Sequence, residues 1–498
     1  MKYVLLTGGT GLVGRYLVRD LLLSGHRLAL VLRTSGKETV EQRAESILQY
    51  WEAELGRTLP RPVCLQGDVA EPGLALSQVD RDWIKENCDR VLHNAAILTF
   101  YEEDRTKDPW RTNLGGTQHV LELCRETGID DLHYVSTAYV CGNRSDMVKE
   151  DQLDVGQGFR NDYEHSKFLA EKMVREAPHI RQLTVYRPAV IAGDANTGYT
   201  NTYHGLYFYL KLMSVLLANT PKDPDGRRHT PIRLEMTGDE PRNVVPVDWI
   251  SAVMVKLFNN PAAHGGTYHL SPDQLITPRK IIDAGYKYFD SYGVEFVGKP
   301  VAPEGLSDFE KAAYENKTIY QPYEQTDPTF DTTNLKKFAG DVPCPEIDEP
   351  MLHRFWKYGE EDRWGKRRQP KPAVGFDVGG FLAQQLPAMS EEATAVSKLG
   401  LSVMGPSGGQ WTLLLTDAGD VSFVRGLPSC DAPQLELTNS EFASLVQGEM
   451  VSAHQPIVER LLATTSDEQA AEIATRLLAA LVPSESQTAS AGGVASGN

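Results

Sequence analysis

Cysteine is scarce in this 498-residue chain, which has six. They stand at Cys64, Cys88, Cys124, Cys141, Cys344 and Cys430, with no CxxC pair and no metal-ligand spacing. That scatter excludes a disulfide scaffold, gives no expected metal centre, and reads as reduced, mostly buried thiols in a reducing compartment. Long apolar runs are missing too: no stretch approaches the roughly 18 apolar residues of a membrane-spanning helix. Met1-Lys2 leads straight into a strand-like run, so no secretory h-region is expected and the expected location is cytoplasmic. Positive charge is in deficit, with 50 Lys and Arg against 67 Asp and Glu and a net charge of −17. This balance argues against non-specific nucleic-acid binding.

What the chain does possess starts at its first residues. Tyr3-Val4-Leu5-Leu6 runs into Thr7-Gly8-Gly9-Thr10-Gly11-Leu12-Val13-Gly14, which runs into Arg15-Tyr16-Leu17-Val18. A buried strand, a glycine turn and an apolar helix in that order make the context of a dinucleotide-binding fingerprint. Gly8, Gly11 and Gly14 permit a tight turn, approach of a pyrophosphate to backbone N–H groups, and close packing of helix on strand. Further Val/Leu-rich runs at 28–32, 62–65, 90–93, 132–135 and 183–186 alternate with helix-length segments such as Glu38 to Leu55 and Thr117 to Gly128. The expected fold class is α/β, a Rossmann-type doubly wound parallel sheet with a smaller substrate lobe, plus a small C-terminal α+β domain.

The expected boundaries are a dinucleotide-binding reductase domain over 1–360, whose substrate lobe lies mainly in 194–240 and 285–360. A charged, proline-bearing linker follows at 361–375, then a small domain at 376–483 and a disordered Ser/Ala/Gly tail at 484–498. Within the small domain, Trp411–Leu415 and Val421–Val424, joined by Asp417-Ala418-Gly419-Asp420, read as a hairpin. Ser440–Val446 and Asp467–Leu481 read as amphipathic helices.

Chemistry is expected on the helix-like segment Asp162-Tyr163-Glu164-His165-Ser166-Lys167. Four-residue spacing puts Tyr163 and Lys167 on one helix face, where an ammonium is expected to lower the phenol pKa toward neutrality. With 20 tyrosines one such pair arises by chance, and Tyr207/Lys211 is a second. Tyr163 is preferred because it follows the strand Leu132–Val135 and its continuation Ser136–Val140, at the carboxyl edge where a dinucleotide binds. Arg33 stands after the second strand, where an acid would pair with the NAD ribose; a guanidinium there suits the 2′-phosphate, so NADPH is expected over NADH.

Seven segments resemble the extended short-chain dehydrogenase/reductases, and among them the thioester reductases and fatty acyl-CoA reductases. They are Thr7–Gly14, Gly67–Leu74, His93-Asn94-Ala95-Ala96, Thr112–Thr117, Val135–Val140, Tyr163–Lys167 and Tyr186–Asp194, in the family order. The resemblance implies that Thr137, rather than Ser136, holds the substrate carbonyl oxygen. Tyr163 would donate the proton, and Lys167 would contact the nicotinamide ribose. It also implies cofactor contacts from Thr7, Gly8, Gly11, Leu12, Val13 and Gly14, from Asp68 and Val69 at the adenine, and from Asn94, Ala95 and Ala96 on the floor. Pro188, Ala189 and Val190 would flank the nicotinamide, with Arg43 a second phosphate ligand beside Arg33.

The implied reaction is NADPH-dependent reduction of a small-molecule acyl thioester, carried by CoA or an acyl carrier protein, to an aldehyde, with alcohol after a second hydride. The same triad would also serve an oxidoreductase or epimerase of hydroxysteroids or nucleotide sugars, and a non-catalytic NADP-binding module is a third reading. Oligomers are compatible with all three. The aromatic run Tyr203, Tyr207, Phe208 and Tyr209, with Leu210, Leu212 and Met213, reads as an acyl channel or as plain helix core. Gly409–Leu415, Pro433–Thr438 and Phe442–Gly448 resemble sterol carrier protein-2, which implies lipid holding. That family's Gly/Lys/Leu-rich strand is missing after Gly448, so a docking or dimerisation module is an equal reading.

Overall fold

The computed structural model describes residues 1–36, 38–102, 104–307, 310–311, 314, 326–368, 370–386, 395–416, 420–429 and 432–447. The turn residues 417–419, the segment Asp467–Leu481 and the tail 484–498 lie outside them. Strand β1 (Tyr3–Thr7) opens the chain, followed by α1 (Leu12–Leu23), β2 (Arg27–Leu32), α2 (Val40–Leu55) and β3 (Val63–Gln66). The alternation continues through α3 (Gln78–Asn87), β4 (Cys88–His93), α4 (Gly116–Thr127) and β5 (Asp131–Val135). Next come β6 (Met147–Val148), α5 (Asp162–Glu176), β7 (Gln182–Pro188), β8 (Val190–Ala192) and α6 (Leu206–Ala218). Then follow β9 (Arg228–Leu234), β10 (Val244–Pro246), α7 (Val247–Phe258), β11 (Thr267–Leu270), α8 (Pro278–Phe289) and β12 (Ser291–Phe296).

A seven-stranded parallel sheet has the order β11-β7-β5-β4-β1-β2-β3. Its strands are continuous apolar runs because both faces are covered; β1, for instance, is buried at all five positions. Strand order reverses between β1 and β4, and in such sheets ligands bind outside the carboxyl ends at that switch point. The expected doubly wound α/β class is what forms.

One expected extension does not form. Ser136 N–H still donates to the Tyr186 carbonyl at 2.7 Å, but the chain then leaves the sheet. Thr137 Oγ1 accepts the Tyr139 N–H at 3.3 Å and caps a 3₁₀ turn over Ala138–Cys141. A short hydroxyl side chain that satisfies a neighbouring N–H competes with a strand ladder, so apolar composition alone misreads 136–140 as strand.

The described residues divide into two compact units. One comprises Leu6–Asp20 and Gly67–Gln369. Its later part holds β13 (Thr329–Phe330), α9 (Thr333–Ala339) and α10 (Glu349–Glu361), with α10 packing on α6 and α8. In this cluster Tyr207 and Leu210 are buried against Phe355 and Trp356, and Tyr207 Oη donates to the Gly198 carbonyl at 2.5 Å. Tyr207 is therefore a core tyrosine, and the second Tyr-x-x-x-Lys match is structural. Phe208, Tyr209, Leu212 and Met213 are half-buried.

The other unit comprises Met1–Leu5, Leu21–Gln66 and the described residues from Pro370 onward. Its last part runs α11 (Val378–Gln385), β14 (Ala395–Met404), β15 (Gly409–Thr416), β16 (Val421–Arg425), β17 (Gln434–Thr438) and α12 (Asn439–Val446). The sheet order is β16-β15-β14-β17, with β14 and β17 parallel and the expected β15–β16 hairpin antiparallel. Leu399, Leu401 and Val403 alternate onto one face and meet Leu382 of α11 and Phe442 of α12. Tyr3 ties β1 to this sheet: its hydroxyl donates to Gln410 Oε1 and accepts the Leu427 N–H, both at 2.7 Å. Arg27 Nη1 donates to the Pro428 carbonyl at 2.8 Å.

Because both partners of the buried Tyr3 hydroxyl lose their bond together, Tyr3→Phe should destabilise this unit by about 1–3 kcal/mol. Urea unfolding monitored by tryptophan fluorescence checks this, and an unchanged midpoint would contradict it.

Candidate active site

The glycine turn closes on the residues that follow β4. A side-chain carbon on Gly8, whose φ is +74°, would lie 2.6 Å from the Ala95 backbone nitrogen, and one on Gly14 would lie 2.0 Å from the Gly8 carbonyl oxygen. Both positions therefore require glycine. Thr7 Oγ1 holds the turn from below: it is 2.7 Å from His93 Nδ1 and accepts the Ala95 N–H at 3.2 Å. Asn94 Nδ2 donates to the Gly8 carbonyl at 3.2 Å. Helix α1 begins at Leu12, so the Leu12 and Val13 N–H groups belong to its first turn, where N–H groups have no intrahelical acceptor and favour an anion. This cradle, which any side chain at Gly8 or Gly14 would fill, fits a dinucleotide pyrophosphate. Gly11 and Ala96 are exposed beside it.

Asp68 and Val69 form the turn after β3. Asp68 Oδ1 accepts the Ala70 N–H at 3.0 Å, Val69 packs against Gly116, and the Val69 carbonyl contacts His119 Nδ1 at 2.9 Å. Pro188 ends β7; Ala189 N–H donates to the Leu270 carbonyl and Val190 N–H to the Asn243 carbonyl, each at 3.0 Å.

Helix α5 carries the Tyr/Lys pair. Asn161 caps it by accepting the Glu164 N–H at 3.0 Å. The structure brings Thr137, Tyr163 and Pro188 together: the Thr137 hydroxyl is near enough to the Tyr163 phenol to act on its pKa, and Thr137 Oγ1 donates to the Pro188 carbonyl at 3.4 Å. Ser136 faces elsewhere, donating to Glu171 Oε2 at 2.6 Å. Geometry thus gives the two adjacent hydroxyls different partners.

The expected effect of Lys167 on the phenol is not what the structure gives. Burial pushes the Tyr163 hydroxyl up to about 12, and it is the neighbouring Thr137 hydroxyl that opposes the rise. Lys167 is itself buried, and its Nζ donates to Tyr134 Oη and to the Val135 carbonyl, both at 2.8 Å. Burial brings its pKa down to about 7 against the upward pull of Glu171. A buried ammonium pays desolvation before it can tune a neighbour, which spacing alone does not reveal.

Beneath Lys167 lies a fully buried ion pair, Glu171 with Arg187 at 2.6 Å. Burial raises the Glu171 carboxyl, but Arg187 foremost, then Arg175 and Ser136, hold it down at about 2. Asn113 is a further polar group near the site that carried no assigned role in the sequence. It sits in the π-helical turn Trp110–Gly115, where Nδ2 donates to the Ile97 carbonyl and Ser166 Oγ, each at 3.1 Å, and Oδ1 accepts the Ile97 N–H at 2.9 Å. Its signal was present in the Thr112–Thr117 segment, and π-turns often mark functional positions. Tyr134 and the Glu171–Arg187 pair had no local motif.

In the other unit, Arg33 follows β2 and is exposed, and Arg43 on α2 donates Nη1 to the Arg33 carbonyl at 2.6 Å. Burial and the neighbouring Arg33 charge lower the Arg43 pKa, so the two guanidiniums concentrate positive potential after the second strand.

The fold and the glycine cradle define a dinucleotide-binding protein of Rossmann type. A family model described as "Male sterility protein", an NAD-binding domain, matches residues 6–254, half of the chain, and the chain belongs to that family. It is 27% identical over 376 residues to one of the subunits of the linear gramicidin synthase of Brevibacillus parabrevis, covering 71% of this chain and 7% of that protein. Fatty acyl-CoA reductase wat of Drosophila melanogaster is 25% identical over 330 residues, covering 58% of this chain and 61% of that one. The chain thus spans less than two thirds of the length of these curated relatives. The terminal R domain of the myxalamid PKS-NRPS biosynthetic pathway shares the fold at a TM-score of 0.60 and 24% identity, covering 74% of this chain and 93% of the domain. No described helix is long and apolar enough to cross a membrane.

Because the folded Lys167 pKa lies near 7 and its unfolded value is 10.5, the unfolded chain binds more protons between those limits. Stability should therefore rise as pH increases from about 7 toward 10.5, and Lys167→Met should flatten that rise. Denaturant midpoints measured across this range check the sign; equal slopes for both proteins would contradict it.

Proposed function

We propose that this chain reduces an acyl thioester, carried by CoA or by an acyl carrier protein, to an aldehyde, using NADPH. The observation that carries the reading is the Thr137 hydroxyl placed beside the Tyr163 phenol at the exit of β5, in the same unit as the glycine cradle. Relatives named as a fatty acyl-CoA reductase and as part of a linear gramicidin synthase support the thioester class.

A bound nicotinamide dinucleotide supplies the hydride that reaches the acyl carbon. Thr137 and Tyr163 donate hydrogen bonds to the acyl oxygen, where negative charge develops as that carbon becomes tetrahedral. With its pKa near 12, Tyr163 is protonated at neutral pH, so its part is that of acid. Its proton passes to the oxygen and gives a hemithioacetal. Reionisation of that hydroxyl and cleavage of the C–S bond release the thiol and leave the aldehyde. Lys167 holds Tyr134 and the end of β5 through its two hydrogen bonds, and we assign it to the nicotinamide ribose. Asn94 and Ala95 with the glycine turn orient the dinucleotide. We assign Arg33 and Arg43 to its 2′-phosphate, as paired guanidiniums suit a dianion better than a diol.

Tyr163→Phe should lower kcat with acyl-CoA substrates by about 10²–10⁴-fold while leaving NADPH affinity near its parent value. Steady-state assays with acyl-CoAs of several lengths, and product identification by mass, check this; full activity in the variant would end the proposal. Arg33→Ala should raise KM for NADPH by roughly tenfold or more and leave KM for NADH almost unmoved. Equal changes with both cofactors would remove Arg33 from the phosphate site.

A further inference from the structure

At the opposite, amino end of β5 from Thr137, three potential metal ligands converge. Asp131, His133 and His264 each offer one ligand atom, and these atoms lie within 4.8 Å of one another. Asp131 and His133 are neighbours on one side of β5, as period-two alternation requires, and His264 comes from the loop before β11. His133 is fully buried, yet its Nε2 has no hydrogen-bond partner among the described residues, and neither does Asp131 Oδ1. These two atoms are 3.4 Å apart. That is close to the edge of a tetrahedron with ligand bonds of about 2.0–2.1 Å, which is roughly 3.3–3.4 Å.

The remaining ring nitrogens are already engaged. His133 Nδ1 is 2.9 Å from Tyr186 Oη, and His264 Nε2 is 2.9 Å from the Phe258 carbonyl. A carbonyl can only accept, so His264 carries its proton on Nε2 and presents Nδ1 as a lone pair. This is the arrangement in which metal-ligating histidines are held by outer hydrogen bonds. Arg90 is the opposing cation: its Nε is 3.9 Å from Asp131 Oδ2, the other carboxylate oxygen, and 3.3 Å from Asp89 Oδ1. Arg181 meets Asp130 at 3.3 Å. Asp131 and His264 are half-buried, so each residue is partly open to solvent.

We infer that Asp131, His133 and His264 form a binding site for a divalent transition-metal ion of the zinc class. Asp131 and His133 stand four and two residue steps, about 13 and 7 Å, from the end of β5 next to Thr137, and the ion would be structural, outside the proposed reaction. It would pin the loop before β11 to β5. Cysteine spacing could not signal it, because the ligands are an Asp-x-His pair and a histidine far along the chain.

The full chain, freed of metal by chelation, is titrated with zinc and separately with magnesium by calorimetry, and with cobalt(II) by visible absorption. The expected results are one zinc per chain, no competing magnesium heat, and a tetrahedral cobalt band that zinc abolishes. His264→Gln and Asp131→Asn, both at half-buried positions, should each weaken zinc binding at least about tenfold while the far-ultraviolet dichroism is unchanged. Absence of zinc uptake at micromolar metal, or uptake that neither substitution weakens, would overturn the site. Should either variant fail to fold, an octahedral cobalt spectrum, or one that zinc leaves untouched, in the parent protein would overturn it equally.

Discussion

The buried Glu171–Arg187 pair is the constraint on which the candidate active site depends. Both side chains are fully buried, and they join α5 to β7 at 2.6 Å. Taking two such charges out of water costs several kcal/mol each, and the cost is offset only where the remaining polar atoms are met. Here they are: Glu171 also takes Ser136 Oγ at 2.6 Å and Arg175 at 2.7 Å, and Arg187 Nη1 reaches His269 Nε2 at 3.2 Å. The result is a fixed height and rotation for α5 against the exit of β5. Lys167, one turn before Glu171, is thereby placed under Tyr134 and the Val135 carbonyl, and Tyr163, one turn earlier again, beside Thr137.

The same pair separates the two hydroxyls of the β5 exit. Ser136 is bound to Glu171, which leaves Thr137 to meet Tyr163. A carboxylate buried one turn beyond the lysine also supports the ammonium, whose pKa burial has brought to about 7. Thus the site is a balance between desolvation, which lowers the Lys167 pKa and keeps Tyr163 protonated, and a few short-range interactions that act against it.

Much of the fold was legible because parallel strands covered on both faces are short continuous apolar runs, and glycine turns have few alternatives. Tyr3–Thr7, Arg27–Leu32 and the Gly8/Gly11/Gly14 turn are local features, and so is the β15–β16 hairpin. The site was half legible. Tyr163 and Lys167 share a helix face by spacing, but what each touches depends on partners distant in sequence: Thr137 for one, Tyr134 and Val135 for the other. Ser136–Val140 looked like strand because its apolar content hides the hydroxyl cap at Thr137. Asn113 lay inside a recognisable segment yet drew no role, since its meaning comes from a π-turn and a bond to Ser166. Arg187 lay inside the recognised Tyr186–Asp194 segment, but its pairing with Glu171, like that of His133 with His264, has no local signal, because each pair is made by tertiary packing.

The most direct measurement is the fate of a deuterium label placed at the transferable C4 position of NADPH's nicotinamide, supplied to the full chain with a long-chain acyl-CoA. The expected product is an aldehyde, or its alcohol, bearing deuterium on the former thioester carbon, with CoA released in equal amount. Oxidation of the labelled NADPH with intact acyl-CoA and no label in any acyl product would contradict the proposed reduction.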